Sequence, residues 1–207
     1  MKRRHGSNAW AMGLAVLAGA AWPAPAEAHL VTTGLGPVYD GISHVLVSPE
    51  DLIPVVAMAL LAGLNGPVAG RRTLFVLTGA WLLGGVAGFA HGHTAVPAAL
   101  TTGSFLVLGA LTAADLRLSS RTVTVLAVAV GLLHGWLNGA GIAASQREVL
   151  GLVGVVGAIF VVVALLSAFV VSLRAAWMRI AIRVAGSWVA AIGLLILGWT
   201  LRTGAAG

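Results

Sequence analysis

Six apolar stretches, separated by short segments rich in Gly, Pro and Arg, constrain the fold of this chain more than any other feature. A helix needs about 20 apolar residues to cross a membrane, and helices or closed barrels are the structures that satisfy the main chain in lipid. With 59% hydrophobic and only 9% charged residues, the sequence predicts an all-α, polytopic membrane bundle of six transmembrane helices. The stretches lie at about 50–64, 73–90, 95–114, 122–139, 149–173 and 182–201.

The N-terminus has the pattern of a secretory signal. Lys2, Arg3 and Arg4 precede an apolar segment at 9–22, and a small-x-small cleavage motif follows at 26–28. We therefore predict a cleavable signal peptide at 1–28 and a six-helix transmembrane domain at 29–207. An uncleaved anchor helix is the alternative interpretation.

The first apolar stretch is too short to cross a membrane alone. Pro49 to Leu64 reaches only about 24 Å of a hydrocarbon core about 30 Å thick, at about 1.5 Å per residue. The preceding segment, which contains Asp40 and His44, is therefore predicted to enter the protein as a half-inserted or re-entrant piece.

Arginine placement predicts the orientation of the bundle. The positive-inside rule puts the loops with most Arg in the cytoplasm, so a bacterial cytoplasmic-membrane protein with its mature N-terminus outside is expected. The net charge of +6 follows from this topology and does not indicate a nucleic-acid partner. Seven arginines fall in loops on the predicted inner side, against Arg147 and Arg202 opposite: Arg71, Arg72, Arg117, Arg121, Arg174, Arg179 and Arg183.

Ionisable residues cluster around the first stretch, on the predicted outer side. Asp40, His44 and Asp51 follow one another at helical spacings, although Pro49 makes one continuous helix improbable. The segment Ser48 to Asp51 also fits a plain helix start, with a capping hydroxyl, proline in the first turn and acids near the positive end of the dipole.

Three further polar residues lie at the predicted outer ends of later stretches. His134 stands inside an apolar run, where an ionisable group turns towards the bundle interior, and Asn138 shares its face. A hydrogen bond from His134 to a carbonyl is the structural alternative. His91 fits either a metal ligand or an ordinary exposed loop residue.

The chain has no Cys, so a metal would be held by N and O atoms. Imidazole and carboxylate groups suit divalent ions such as Ni²⁺, Co²⁺ or Zn²⁺. The candidate metal-contacting residues are His44, Asp51, His134, Asp40, His91 and Asn138.

Glycine spacing predicts close helix packing in two stretches. Gly131, Gly135 and Gly139 recur every four residues, and Gly151, Gly154 and Gly157 recur every three. Small residues at such intervals let helix backbones approach each other.

Two motifs resemble the HupE/UreJ family of hydrogenase- and urease-accessory membrane proteins. The first is His44-Val-Leu-Val-Ser-Pro-Glu-Asp51-Leu52, followed by MALLAGL at 58–64, and the second is His134-Gly135-Trp136-Leu137-Asn138-Gly139. The resemblance covers most of the mature chain and implies nickel or cobalt permeation, with a metal route through His44, Asp51 and His134. Leu52 and Asn138 replace histidines of the family pattern, and the spacing from His44 to Asp51 is one residue longer.

The leading hypothesis is therefore a permease for a divalent transition-metal ion, nickel or cobalt, taken up from the outer side. Its expected partners are the lipid bilayer, the ion and metalloenzyme maturation proteins, with no tightly bound cofactor. A non-transporting accessory or scaffold protein is the main alternative, and a haem held between His91 and His134 is another. An enzyme is not expected, because no G-x-S-x-G motif is present and no serine is evidently paired with His134.

Overall fold

The computed structural model describes residues 33–92 and 96–204. The predicted signal peptide, 1–28, lies outside the described residues. All regular secondary structure in the described part is helical, as the sequence predicts. The helices are α1 (Pro37–Val47), α2 (Pro49–Leu64), α3 (Pro67–His91), α4 (Ala98–Ala114), α5 (Ser120–Ala144), α6 (Gly151–Ser172) and α7 (Ala176–Gly204).

Four of these helices are long and apolar enough to cross a membrane: α3, α5, α6 and α7. α1 and α2 pass the same test only together, and they are bent by 73° at the break between them. α4, at 17 residues, is a shorter apolar helix. The bent pair and α4 correspond to the remaining two of the six predicted stretches.

The break between α1 and α2 falls at Ser48, which has an extended backbone with φ −96° and ψ 102°. Pro49 follows at the start of α2, where a missing N–H costs nothing, and proline disfavours a helical conformation for the residue before it. The predicted capping bond from the Ser48 hydroxyl is absent. The expected re-entrant segment is thus a short helix set at an angle to α2.

α2 lies at the centre of the bundle and contacts every other helix. Beyond its first turn, its side chains are apolar all round, which is typical of a fully surrounded helix. Val55, Met58 and Leu61 have no exposed surface. The first turn of α2, with Asp51, is therefore enclosed by protein.

Glycines bring several helix pairs into backbone contact. On α5, a side chain at Gly135 would collide with the main chain of Trp81 on α3, and one at Gly139 with that of Gly85. The predicted close packing through the α5 glycines is confirmed. On α6 the pattern holds only in part, because Gly154 meets the main chain of Val38 on α1 whereas Gly157 faces open space.

Three connections meet at one end of the bundle: α2–α3, α4–α5 and α6–α7. The Leu118 amide donates to Asn65 Oδ1 at 2.7 Å, and Arg183 Nε donates to the Ala113 carbonyl at 3.0 Å. We call this the arginine end, because the seven arginines of the predicted inner side lie in or beside these connections.

The prediction that all seven arginines occupy loops is wrong for several of them. Arg71 and Arg72 lie inside α3, and Arg179 and Arg183 lie inside α7. A long aliphatic stem lets an arginine reach the interface from within a helix, so its charge marks the membrane boundary rather than the helix end.

Candidate functional site

Asp51 is the centre of the candidate site. It lies in the first turn of α2, immediately after the break, and is only 3% exposed. Asn138 Nδ2 donates to its Oδ2 at 2.8 Å. His44 Nε2 lies 3.3 Å from Oδ2, and His134 Nδ1 lies 3.9 Å from Oδ1. Residues from α1, α2 and α5 therefore converge on one carboxylate.

His44 reaches Asp51 because the helix bends. It occupies the last turn of α1, and the change of direction at Ser48 turns its ring towards the first turn of α2. Ser48 Oγ lies 3.2 Å from His44 Nδ1. The hydroxyl expected to cap α2 thus contacts the imidazole, whose side chain stays 15% exposed.

His134 is buried in α5, with 2% of its surface exposed. Its ring is nearly parallel to those of Trp81 and Phe105, with centroids 5.6 Å and 6.2 Å away. Nε2 lies 3.0 Å from Ser104 Oγ on α4. Its polar partner is therefore a hydroxyl and not the main-chain carbonyl that the sequence allowed.

Asn138 lies one turn after His134 on the same face of α5, as its spacing predicts. The side chain is 7% exposed, and its amide donates to Asp51. Its other atom, Oδ1, is buried and has no hydrogen-bond partner among the described residues. A buried acceptor without a partner can be stabilised by a cation or a water molecule.

A cavity of about 280 Å³ reaches His44 from the end of the bundle opposite the arginine end. Asp40 lies on its wall, where it accepts two hydrogen bonds of 2.6 Å from the amide and hydroxyl of Thr33. Arg147 Nη1 approaches Asp40 Oδ2 at 3.6 Å. His44 lines this cavity and contacts Asp51, so it connects the open space with the buried carboxylate.

His91 is placed differently from the other candidates. It is exposed at the end of α3, with Nδ1 2.8 Å from the Ala87 carbonyl and its ring 5.5 Å from that of Trp136. Trp136 is two residues after His134 and so occupies a different face of α5. This arrangement offers no support for a haem held between His91 and His134.

The separations around Asp51 suit a small cation. Metal bonds of about 2 Å let one ion bridge two atoms up to about 4 Å apart, and the 3.3 Å and 3.9 Å separations fall within this limit. Among the described residues, however, no group of three or more His, Cys, Asp or Glu side chains already has the arrangement of a metal site.

Ser104 is the residue that the sequence did not reveal. It is 30 positions from His134 and on another helix, so no local motif links the two side chains. The sequence shows no serine evidently paired with His134, whereas the structure places Ser104 Oγ 3.0 Å from its Nε2. Ser104, His134 and Asp51 lie next to one another in the sequence of contacts that a serine-hydrolase triad uses, from hydroxyl to imidazole to carboxylate. The 3.9 Å between His134 Nδ1 and Asp51 Oδ1 is, however, too long for the hydrogen bond that such a triad needs between histidine and aspartate.

Comparison with known proteins identifies the family. The family model described as HupE / UreJ protein matches residues 15–196, which is most of the chain. No curated protein and no solved structure matches significantly. The family is an accessory and transport family associated with nickel and cobalt, and not a catalytic one. The chain, with its bent helix pair, its apolar bundle and the motifs around His44 and His134, therefore belongs to the HupE/UreJ family.

Proposed function

We propose that this protein is a permease that admits a divalent transition-metal ion, nickel or cobalt, across the membrane. The observation that carries this proposal is the buried carboxylate of Asp51, contacted by two imidazoles and one amide below an open cavity. Carboxylate attracts the cation, and neutral imidazole favours nickel or cobalt over magnesium or calcium.

The proposed route begins in the cavity. Asp40 supplies negative charge at its wall, and His44 passes the ion from the cavity to Asp51. His134 is the third ligand, after His44 and Asp51. Asn138 orients the Asp51 carboxylate through its Nδ2 hydrogen bond; a side-chain flip would give up that bond and offer its amide oxygen to the ion instead. His91 is exposed on the surface, so its role is limited to the first contact with an ion that arrives from solution.

The proposed topology has six spans, counting the bent pair α1–α2 as one and α4 as another. The signal peptide at 1–28 is removed, the mature N-terminus and the cavity face outward, and the arginine end faces the cytoplasm of a bacterial cell. The concentration of seven arginines at one end supports this orientation within the cytoplasmic membrane.

Uptake of radioactive nickel by cells that depend on this protein tests the proposal. We expect Asp51→Ala and His44→Ala to reduce uptake to the background of cells without the protein. Asp115→Ala is the matched control, because it removes a carboxylate from the arginine end, and it should retain most uptake. Immunoblots of membrane fractions establish equal protein amounts. Unchanged accumulation in Asp51→Ala would refute the permease.

A non-transporting accessory protein is the second candidate. The absence of a ready-made three-residue metal group among the described residues favours it, and so do Leu52 and Asn138 at family histidine positions. Such a protein would support metalloenzyme maturation through protein contacts. Titration of the purified protein with nickel separates the two functions, because this candidate predicts no binding and the permease predicts binding that Asp51→Ala removes.

A further inference from the structure

The hydrogen bonds of Ser104 determine which nitrogen of His134 carries a proton. Ser104 Oγ lies 2.6 Å from the Thr101 carbonyl oxygen and 3.0 Å from His134 Nε2. A carbonyl oxygen can only accept, and a hydroxyl has one proton to donate. The short contact shows that the Ser104 hydroxyl donates its proton to the Thr101 carbonyl oxygen, so Oγ is left to accept a hydrogen bond from His134 Nε2.

Because Ser104 Oγ accepts this hydrogen bond, His134 is in the tautomeric form that carries its proton on Nε2. In a neutral imidazole the other nitrogen then carries a lone pair, and His134 Nδ1 points towards Asp51 Oδ1 at 3.9 Å. An N–H donor would approach a carboxylate to about 3 Å. The longer gap is the expected separation of two acceptors that face each other, and a cation would bring them together.

We propose that Ser104 is a positioning residue that holds His134 with its Nδ1 lone pair directed at Asp51. The metal-binding part of this inference rests on the proposed function, whereas the tautomer does not. Metal-ligating histidines almost always donate their second ring N–H to an acceptor, which fixes both tautomer and ring orientation. Ser104 supplies that acceptor from α4, and the rings of Trp81 and Phe105 limit tilting of the imidazole.

The opposite polarity is the competing arrangement. Ser104 would donate to His134 Nε2, and Nδ1–H would donate to Asp51, as in a hydrolase triad. That arrangement requires Ser104 to release Thr101 and His134 to move closer to Asp51. Both observed distances, 2.6 Å and 3.9 Å, oppose it.

Nitrogen NMR of the metal-free, histidine-labelled protein in detergent tests the tautomer directly. The His134 signals are assigned by their loss in His134→Gln. We expect a protonated Nε2 and a bare Nδ1 in the wild type and in Ser104→Thr, which keeps the hydroxyl. Ser104→Ala should lose this preference. A wild-type spectrum with the proton on Nδ1, or an unchanged spectrum in Ser104→Ala, would overturn the proposal.

Ser172→Ala is the matched control, because Ser172 Oγ makes the same kind of bond to the Phe169 carbonyl, at 2.7 Å, without a histidine. It should leave the His134 signals unchanged. If Ser104→Ala does not fold, the wild-type and Ser104→Thr spectra still decide the polarity.

Nickel titration of the same proteins tests the consequence for binding. We expect Ser104→Ala to weaken nickel binding by about 10- to 100-fold, and Ser104→Thr to stay close to the wild type. The wild-type results separate the two proposals. Nickel binding with a proton on Nδ1 would reject the role of Ser104 and leave the permease standing. The expected tautomer without nickel binding would reject the permease and the ligand role of His134.

Discussion

Asp51 and Asp115 are two carboxylates of the same bundle whose surroundings differ in one decisive respect. Asp115, at the arginine end, accepts a hydrogen bond of 2.6 Å from the Arg179 guanidinium. Asp51, below the cavity, contacts two imidazoles and an amide. Guanidinium is a permanent cation, whereas imidazole and amide are neutral in their common forms.

Because of this difference, Asp115 has a structural role, whereas the carboxylate of Asp51 stays available to a further positive charge. The charge of Asp115 is already neutralised, and its side chain is 23% exposed, so the pair ties α4 to α7 and little more. The charge of Asp51 is buried without a permanent cation in contact, which is costly unless a mobile cation or a proton supplies the balance. On the proposed function, the Asp51 site below the cavity is therefore suited to binding and releasing a cation.

The largest effect should come from giving Asp51 the kind of partner that Asp115 has. His44→Arg places a guanidinium beside Asp51, and the cavity next to His44 offers room for the longer side chain. We expect nickel affinity to fall by about 100-fold or more, equivalent to about 2.7 kcal/mol, as measured by titration.

His44→Gln is the control for this change, since it removes the imidazole without adding charge. It should weaken binding less than His44→Arg does. Equal affinities for His44→Arg and the wild type would show that the charge of Asp51 is not used by the ion.

The next effect concerns the rigidity of the site. Gly139→Ala adds a methyl group against the main chain of Gly85 and should push α5, which carries His134 and Asn138, away from α3. We expect a loss of about 1–3 kcal/mol in the free energy of unfolding, measured by thermal unfolding in detergent.

Gly141→Ala is the matched substitution on the same helix, because nothing lies within 4 Å of the added carbon. Alanine is the better helix former, by up to about 1 kcal/mol, so this variant should be as stable as the wild type or slightly more stable. Equal stabilities of the two variants would argue against close α3–α5 packing as the support of the site.

A smaller effect, in the opposite direction, is expected from restoring a family histidine. Asn138→His puts a third imidazole beside Asp51. Nickel should bind about tenfold more tightly, equivalent to about 1.4 kcal/mol, as measured by titration. Asn138→Gln, which keeps an amide, should show no such gain, and weaker binding by Asn138→His would indicate that the site has no room for a further ligand.

The smallest effect is expected at the arginine end. Asp115→Asn removes one charge of a partly exposed ion pair, and such pairs contribute about 1 kcal/mol or less. Thermal unfolding should show a loss within that limit, and nickel uptake should be unchanged. A strong loss of uptake would show that the ion also depends on Asp115.

Much of the fold could be predicted from residue order alone. The apolar stretches indicate helices, Pro49 marks the start of α2, and the glycines of α5 predict its packing on α3. Helix ends were less predictable, because the arginines of α3 and α7 lie inside the helices. The signal peptide stays a prediction.

The candidate site, too, could be predicted from the sequence only in part. His44, Asp51, His134 and Asn138 are brought together, and their charge and helical spacing indicated them in advance. Their role in metal binding stays a prediction. Ser104 and Trp81 could not be found, because a hydroxyl and an indole carry no signal until α3 and α4 are placed beside α5.

The size of the cavity has a consequence for hydration. A cation that keeps a first shell of about six waters needs roughly 180 Å³, at about 30 Å³ per water, and the cavity offers about 280 Å³. On the proposed function, the cavity therefore has room for the ion with its first shell of water, and the ion loses that water as it passes from His44 to Asp51, which is 3% exposed. Discrimination between ions would then depend on the free energy of dehydration at Asp51.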